Sequence, residues 1–77
     1  MDFKILQETS SEDGSIRLIL EIKEADLIYL GYILETMEGC CNYTTISKSP
    51  TQVKIDTNED YITELIELLI ILEDWHF

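Results

Sequence analysis

Residues 25–39 read ADLIYLGYILETMEG, and the rest of the chain is arranged about them. On a helical wheel, Leu27, Leu30, Leu34 and Met37 fall on one stripe, with Ile33 at its edge. That spacing is the signature of a helix with one buried face. Glu24 and Asp26 stand in the first turn, where carboxylates complement the positive end of the helix dipole. Gly39 is placed to stop the helix, since a left-handed residue just past the end costs glycine little. Gly31, in mid-helix, costs about 1 kcal/mol relative to alanine. It is either tolerated or marks the close approach of a second helix or strand. The opposite face carries Tyr29, Tyr32 and Thr36, with Ile28 beside them. These aromatics either lean on a neighbouring helix or present an interface.

Upstream, Ile16, Leu18, Leu20 and Ile22 alternate with Arg17, Ile19, Glu21 and Lys23, the period of a strand with one buried face. Thr9–Gly14 (TSSEDG) is a turn with a hairpin signal at Asp13-Gly14, and Asp2–Glu8 is a short strand before it. Downstream, Cys40–Lys48 has strand propensity with poor alternation, which suits an edge. Lys48-Ser49-Pro50 turns the chain into a strand over Thr51–Thr57, with Val53 and Ile55 inward. Thr57 or Asn58 caps a last helix from about Glu59 to Trp75, with Glu59 and Asp60 in its first turn. The predicted order is ββαββα. From Ile16 onward it is one strand short of the ferredoxin-like pattern, and the N-terminal strand supplies the missing edge. The expected fold is α+β: a two-layer, circularly permuted ferredoxin-like sandwich with sheet order 1-2-4-3 and both helices on one face.

At 77 residues the chain is expected to form a single domain (residues 1–77) with a core of marginal size. Its hydrophobic content of 45% is ample for folding. The N-terminal MDFKILQE lacks the basic-then-apolar run of a signal peptide, and Leu68–Leu72 is too short to span a bilayer. These features lead to the expectation of a soluble, cytoplasmic protein. The net charge of −11 disfavours direct binding to nucleic acid or anionic membranes. It suits a basic protein partner, a cation, or solubility alone.

Two features ask for a partner. The last helix is apolar on more than one side: Tyr61, Leu65, Leu68, Leu69 and Leu72 form a core stripe. Ile66, Ile70 and Phe77 lie roughly opposite, and Ile71 sits on a third flank. Ile66, Ile70 and Phe77, with Tyr29 and Tyr32, are the candidate interface. Charge is also segregated. The basic residues Lys4, Arg17, Lys23, Lys48 and Lys54 lie on or beside strands, whereas both helices carry acids only. Glu59, Asp60, Glu64, Glu67, Glu73 and Asp74 form the candidate acidic partner surface, with no i,i+4 Glu–Lys pair to explain them.

Signals for chemistry are weak. Asp56, Asn58, Asp60 and Glu67 match alternate positions of an EF-hand loop, but Tyr61 stands where the loop needs glycine. Cys40-Cys41 is not a C-x-x-C unit and lacks further ligands. His76 is the only histidine, no base is placed beside a nucleophile, and there is no glycine-rich phosphate loop. No enzymatic activity, metal or cofactor is expected.

The run from about Leu20 to Leu72 resembles a family of short bacterial proteins known only as a domain of unknown function. The resemblance rests on Tyr29-Leu30, Ile33-Leu34-Glu35, Glu38-Gly39, Thr45 and the leucine-rich terminal helix. It implies no activity, and Cys40-Cys41 and the acidic tail depart from the pattern. The strand order also resembles small regulatory domains of the ACT type, which bind ligands at dimer interfaces. The expectation is a regulatory or interaction module that dimerises through its last helix and binds a protein or small ligand. The alternative is an acidic inhibitor of the phage anti-CRISPR type, whose carboxylates stand in for nucleic-acid phosphates.

Overall fold

The structure, a computed structural model, describes residues 1–37, 39 and 41–74. Its elements run β1 (Phe3–Ser10), β2 (Ser15–Ile22), α1 (Glu24–Glu35), β3 (Asn42–Lys48), β4 (Thr51–Asn58) and α2 (Ile62–Glu73). The strands form one sheet in the order β1-β2-β4-β3, and every neighbouring pair is antiparallel. This is the ββαββα two-layer, ferredoxin-like sandwich that the hydrophobic pattern predicts.

The register explains why one face of the sheet is covered. Leu18 pairs with Ile55 and Leu20 with Val53, so the buried side chains of both central strands emerge on the same side. Both helices close that side: Leu30 and Leu34 of α1 and Leu65, Leu69 and Leu72 of α2 join the same cluster. Each such leucine contributes about 1.5–3 kcal/mol by leaving water. Arg17 and Lys54 have the opposite parity and lie on the uncovered face. There Arg17 Nε donates to Asp56 Oδ1 at 2.8 Å. The acids-only helices thus form one layer, and a mixed-charge sheet surface forms the other.

Several element ends differ from the sequence reading. β1 extends to Ser10, so the hairpin turn shrinks to Ser11–Gly14. Gly14 sits at φ +88°, its N–H bonds the Ser11 carbonyl at 3.1 Å, and its own carbonyl accepts the Glu59 N–H at 3.0 Å. Asp13 Oδ1 accepts the Ser15 N–H there, and that bond holds the carboxyl below its ordinary range. Helix α1 stops at Glu35 rather than running to Gly39. The Thr36 hydroxyl donates to the Ile33 carbonyl at 2.6 Å, and tight turn bonds to Ile33 and Leu34 close the end. Gly39 is left-handed (φ +82°) but lies beyond that closure. Helix α2 starts at Ile62, because β4 runs through Asn58. Asn58 Oδ1 accepts the N–H groups of Asp60 (2.9 Å) and Tyr61 (3.2 Å), forming a turn before the helix. Glu59 and Asp60 therefore precede the first helical turn instead of occupying it.

Strand β3 starts at Asn42 rather than at the cysteines; Cys41 precedes it and packs, half-buried, against the core, and Cys40 lies outside the described residues. Each edge strand carries one irregularity in register, between Ile5 and Gln7 in β1 and between Thr45 and Ser47 in β3. The skipped residues, Leu6 and Ile46, are exposed. Such bulges twist an edge and shorten the stretch open to pairing. The Ser49–Pro50 bond that joins β3 to β4 is cis.

The mid-helix glycine answers to a close approach. A Cβ on Gly31 would lie 2.8 Å from the Tyr43 hydroxyl, which reaches under α1 from β3. Tyr43 Oη donates to Glu35 Oε1 at 3.3 Å. Removal from water, then the Glu35 charge, raises the pKa of the phenol above its ordinary value. Gly31→Ala should gain about 1 kcal/mol of helix propensity, offset in part by the shift it forces on the Tyr43 hydroxyl at the tip of that side chain. In a Tyr43→Phe background the next ring atom lies at 3.4 Å. The same substitution should there stabilise the fold more. Urea unfolding of the four proteins of this double-mutant cycle reads the coupling; equal effects in both backgrounds would show that the hydroxyl is not the obstacle.

Candidate interaction surface

Helix α2 presents three kinds of position. Leu65, Leu69 and Leu72 are buried, while Ile62, Ile66 and Leu68 are half-buried against the same core. Ile70 and Ile71, by contrast, are 59% and 54% exposed. The core face of α2 is therefore wider than the leucine stripe alone. Ile66 belongs to it because Ile62, Ile66 and Leu69 make a second row at helical spacing. Phe77 lies outside the described residues, as do Trp75 and His76.

The acids gather round the two exposed isoleucines. Glu64, Glu67, Glu73 and Asp74 are all exposed. Glu67 and Asp74 stand three or four residues from both Ile70 and Ile71, hence on the same strip of surface. No basic residue stands in the last turn of α2. Glu59 and Asp60, also exposed, sit at the other end, beside the hairpin turn rather than on the helix. The outer face of α2 is thus an apolar pair within a field of carboxylates.

The tyrosines of α1 do not lean on the other helix as one row. Tyr29 is 44% and Tyr32 62% exposed. Tyr32 and Ile28 line a groove of about 420 Å³ with Leu27, Gly31, Tyr43 and Thr45, and Glu24 and Glu35 complete its rim. No residue of α2 lines it. Of the proposed interface residues, then, Ile70 is exposed on α2, Ile66 packs against the core, Tyr32 lines the α1–β3 groove and Tyr29 is exposed on α1 outside that lining, while Phe77 lies outside the described residues. The groove escapes sequence reading because it depends on β3 crossing beneath α1. The glycine at position 31 is the one local sign of it.

Metal binding through the EF-hand-like residues meets a positive obstacle. Asp56 lies within β4 and is engaged by Arg17, and the Asn58 oxygen is occupied by two backbone N–H groups. Among the described residues no group of three or more His, Cys, Asp or Glu side chains could hold a metal ion. Two basic residues besides Arg17 have acidic neighbours: Lys23 Nζ lies 2.9 Å from Asp2 Oδ2, which raises the lysine pKa. Lys54 Nζ lies 3.9 Å from Asp56 Oδ2. The first contact is solvent-exposed and the second, at 3.9 Å, is long and partly exposed, so both contribute little to stability. No helix among the described residues is long and apolar enough to cross a membrane. Comparison of the chain with family models, with curated proteins and with solved structures gives no match.

Proposed function

We propose that the protein is a non-enzymatic interaction module that self-associates through the outer face of α2 and offers its acidic helix layer to a protein or small ligand. The observation that carries this reading is the exposure of Ile70 and Ile71 side by side on a helix already supplying its full share of core. A two-fold arrangement would set the two isoleucines of one copy against those of another. It would also bring together the Glu64, Glu67 and Asp74 carboxylates of both copies. Their repulsion is screened beyond about 8 Å at physiological ionic strength.

A second reading has an observation of its own. The exposed face of α2 carries acids and no bases, and it sits on a chain of net charge −11. That surface suits an inhibitor which occupies the basic channel of a nucleic-acid enzyme in place of phosphates. The two readings predict opposite salt dependence. Self-association through an apolar pair flanked by like charges should strengthen as salt rises. Binding to a basic channel should weaken steeply. Sedimentation or light scattering from about 0.02 to 0.5 M salt separates them. A strict monomer at high protein concentration across that range would remove self-association from the reading.

A further inference from the structure

We infer that the α1–β3 groove, with the outer edge of β3, is a docking site for an extended, basic and aliphatic segment of a partner protein, which adds to the sheet as a fifth strand. This site is distinct from the α2 face and does not rest on self-association there.

Three observations converge. First, β3 ends the sheet, and among the described residues no strand pairs with its outer edge. Over Asn42–Thr45 its register with β4 is unbroken, ahead of the irregularity at Ile46. In an edge strand every second residue directs its N–H and C=O away from the sheet, so this stretch can receive a strand. Second, the groove lies on the helix side of that same stretch, with Tyr43 and Thr45 as its floor and Leu27, Ile28 and Tyr32 as its wall. A strand laid along β3 points alternate side chains to the helix side, and the groove would receive one or two of them. Ile28 is 57% exposed, so apolar surface awaits cover. Third, the charged residues of the lining are Glu24 and Glu35, and no basic side chain lines the groove. Lysine or arginine beside the docked aliphatic residue meets complementary charge; an acidic segment is repelled.

The opposite edge is less suited. There β1 also keeps an unbroken register, over Gln7–Ser10, but the groove at its start is lined by Lys4 and Lys23 as well as by Asp2, Glu21, Glu73 and Asp74. At the β3 edge the regular stretch lies beside an apolar groove whose charged lining is acidic alone.

The test uses an N-acetylated peptide that alternates valine with lysine, titrated into the isotopically labelled protein. Its controls are the same peptide methylated on alternate backbone nitrogens and one with glutamate in place of lysine. Amide shifts should concentrate at residues 42–45 and at Gly31 and Tyr32. The methylated and glutamate peptides should produce none. Glu24→Gln with Glu35→Gln should weaken binding about fivefold at low salt, as two exposed ion pairs would. Glutamine at position 35 can still accept the Tyr43 hydroxyl. Tyr32→Lys, at an exposed position that leaves the core untouched, takes away the aromatic wall and repels the basic peptide, and should abolish binding. Equal binding of the methylated peptide, or shifts confined to residues 62–73 of α2, would overturn the inference. So would shifts at 42–45 that appear on raising protein concentration without peptide, because they would assign the edge to a second copy. Loss of self-association at α2 would leave the peptide result unchanged, so the two readings fail separately.

Discussion

Leu65→Ala should unfold this protein at temperatures the native chain withstands. Leu65 is fully buried (0% exposed) at the centre of the contact between α2 and the sheet. Truncating such a leucine removes its transfer free energy and leaves a cavity, together about 3–4 kcal/mol. A domain of this length has about 4–12 kcal/mol in total. The loss therefore takes a large share of the stability, and the melting temperature should fall by about 15–25 °C. Ile71→Ala supplies the contrast. It removes a similar side chain from the same helix, but at a site 54% exposed. It should change stability by less than about 0.5 kcal/mol. Urea unfolding monitored by circular dichroism gives both values. Similar losses at the two positions would mean that α2 is not packed by the face described.

That contrast marks what could be read from the residues. Strong periodicity settles the face of an element, and the alternation of Ile16 to Ile22 placed Leu18, Leu20 and Ile22 inward, where they are buried. The stripe of α1 did the same for Leu30 and Leu34. Element ends are decided by single hydrogen bonds, which periodicity does not encode. Thr36 closes α1 with its hydroxyl, three residues ahead of the glycine that looked like the stop. Asn58 has the capping chemistry expected of it but spends it on a turn, because Asn58 still pairs with Ser15 in the sheet. The width of a buried face is also hidden: Ile66 neighbours both the core stripe and the exposed flank, and only the sheet beneath it decides. The groove needed two elements of unlike period, a helix and the strand after it, so its sides at Tyr32 and Tyr43 carried no shared local signal.

Ile70→Asp is the substitution that separates fold from assembly. Ile70 is more than half exposed, so the isolated subunit has little packing to lose there. Its cost to the monomer comes from adding a carboxylate beside Glu67, Glu73 and Asp74, at the negative end of the helix dipole, about 0.5–1 kcal/mol. In a two-fold assembly the same change acts twice. It removes two isoleucines from the seam, about 1–1.5 kcal/mol each for the surface still to be covered. It also sets two new charges against an acidic face. Dissociation constants change tenfold per 1.4 kcal/mol, so self-association should weaken at least about 100-fold. Ile70→Ala isolates the apolar part. Alanine is the better helix former, so the monomer should keep its stability, while self-association weakens about tenfold. The expected order of association is native, then Ile70→Ala, then Ile70→Asp, with melting of the dilute monomer nearly constant across the first two. Sedimentation equilibrium checks the order. If Ile70→Asp associates as the native chain does, α2 is not the seam, and the two exposed isoleucines are only the excess of a helix that is greasier than its core requires.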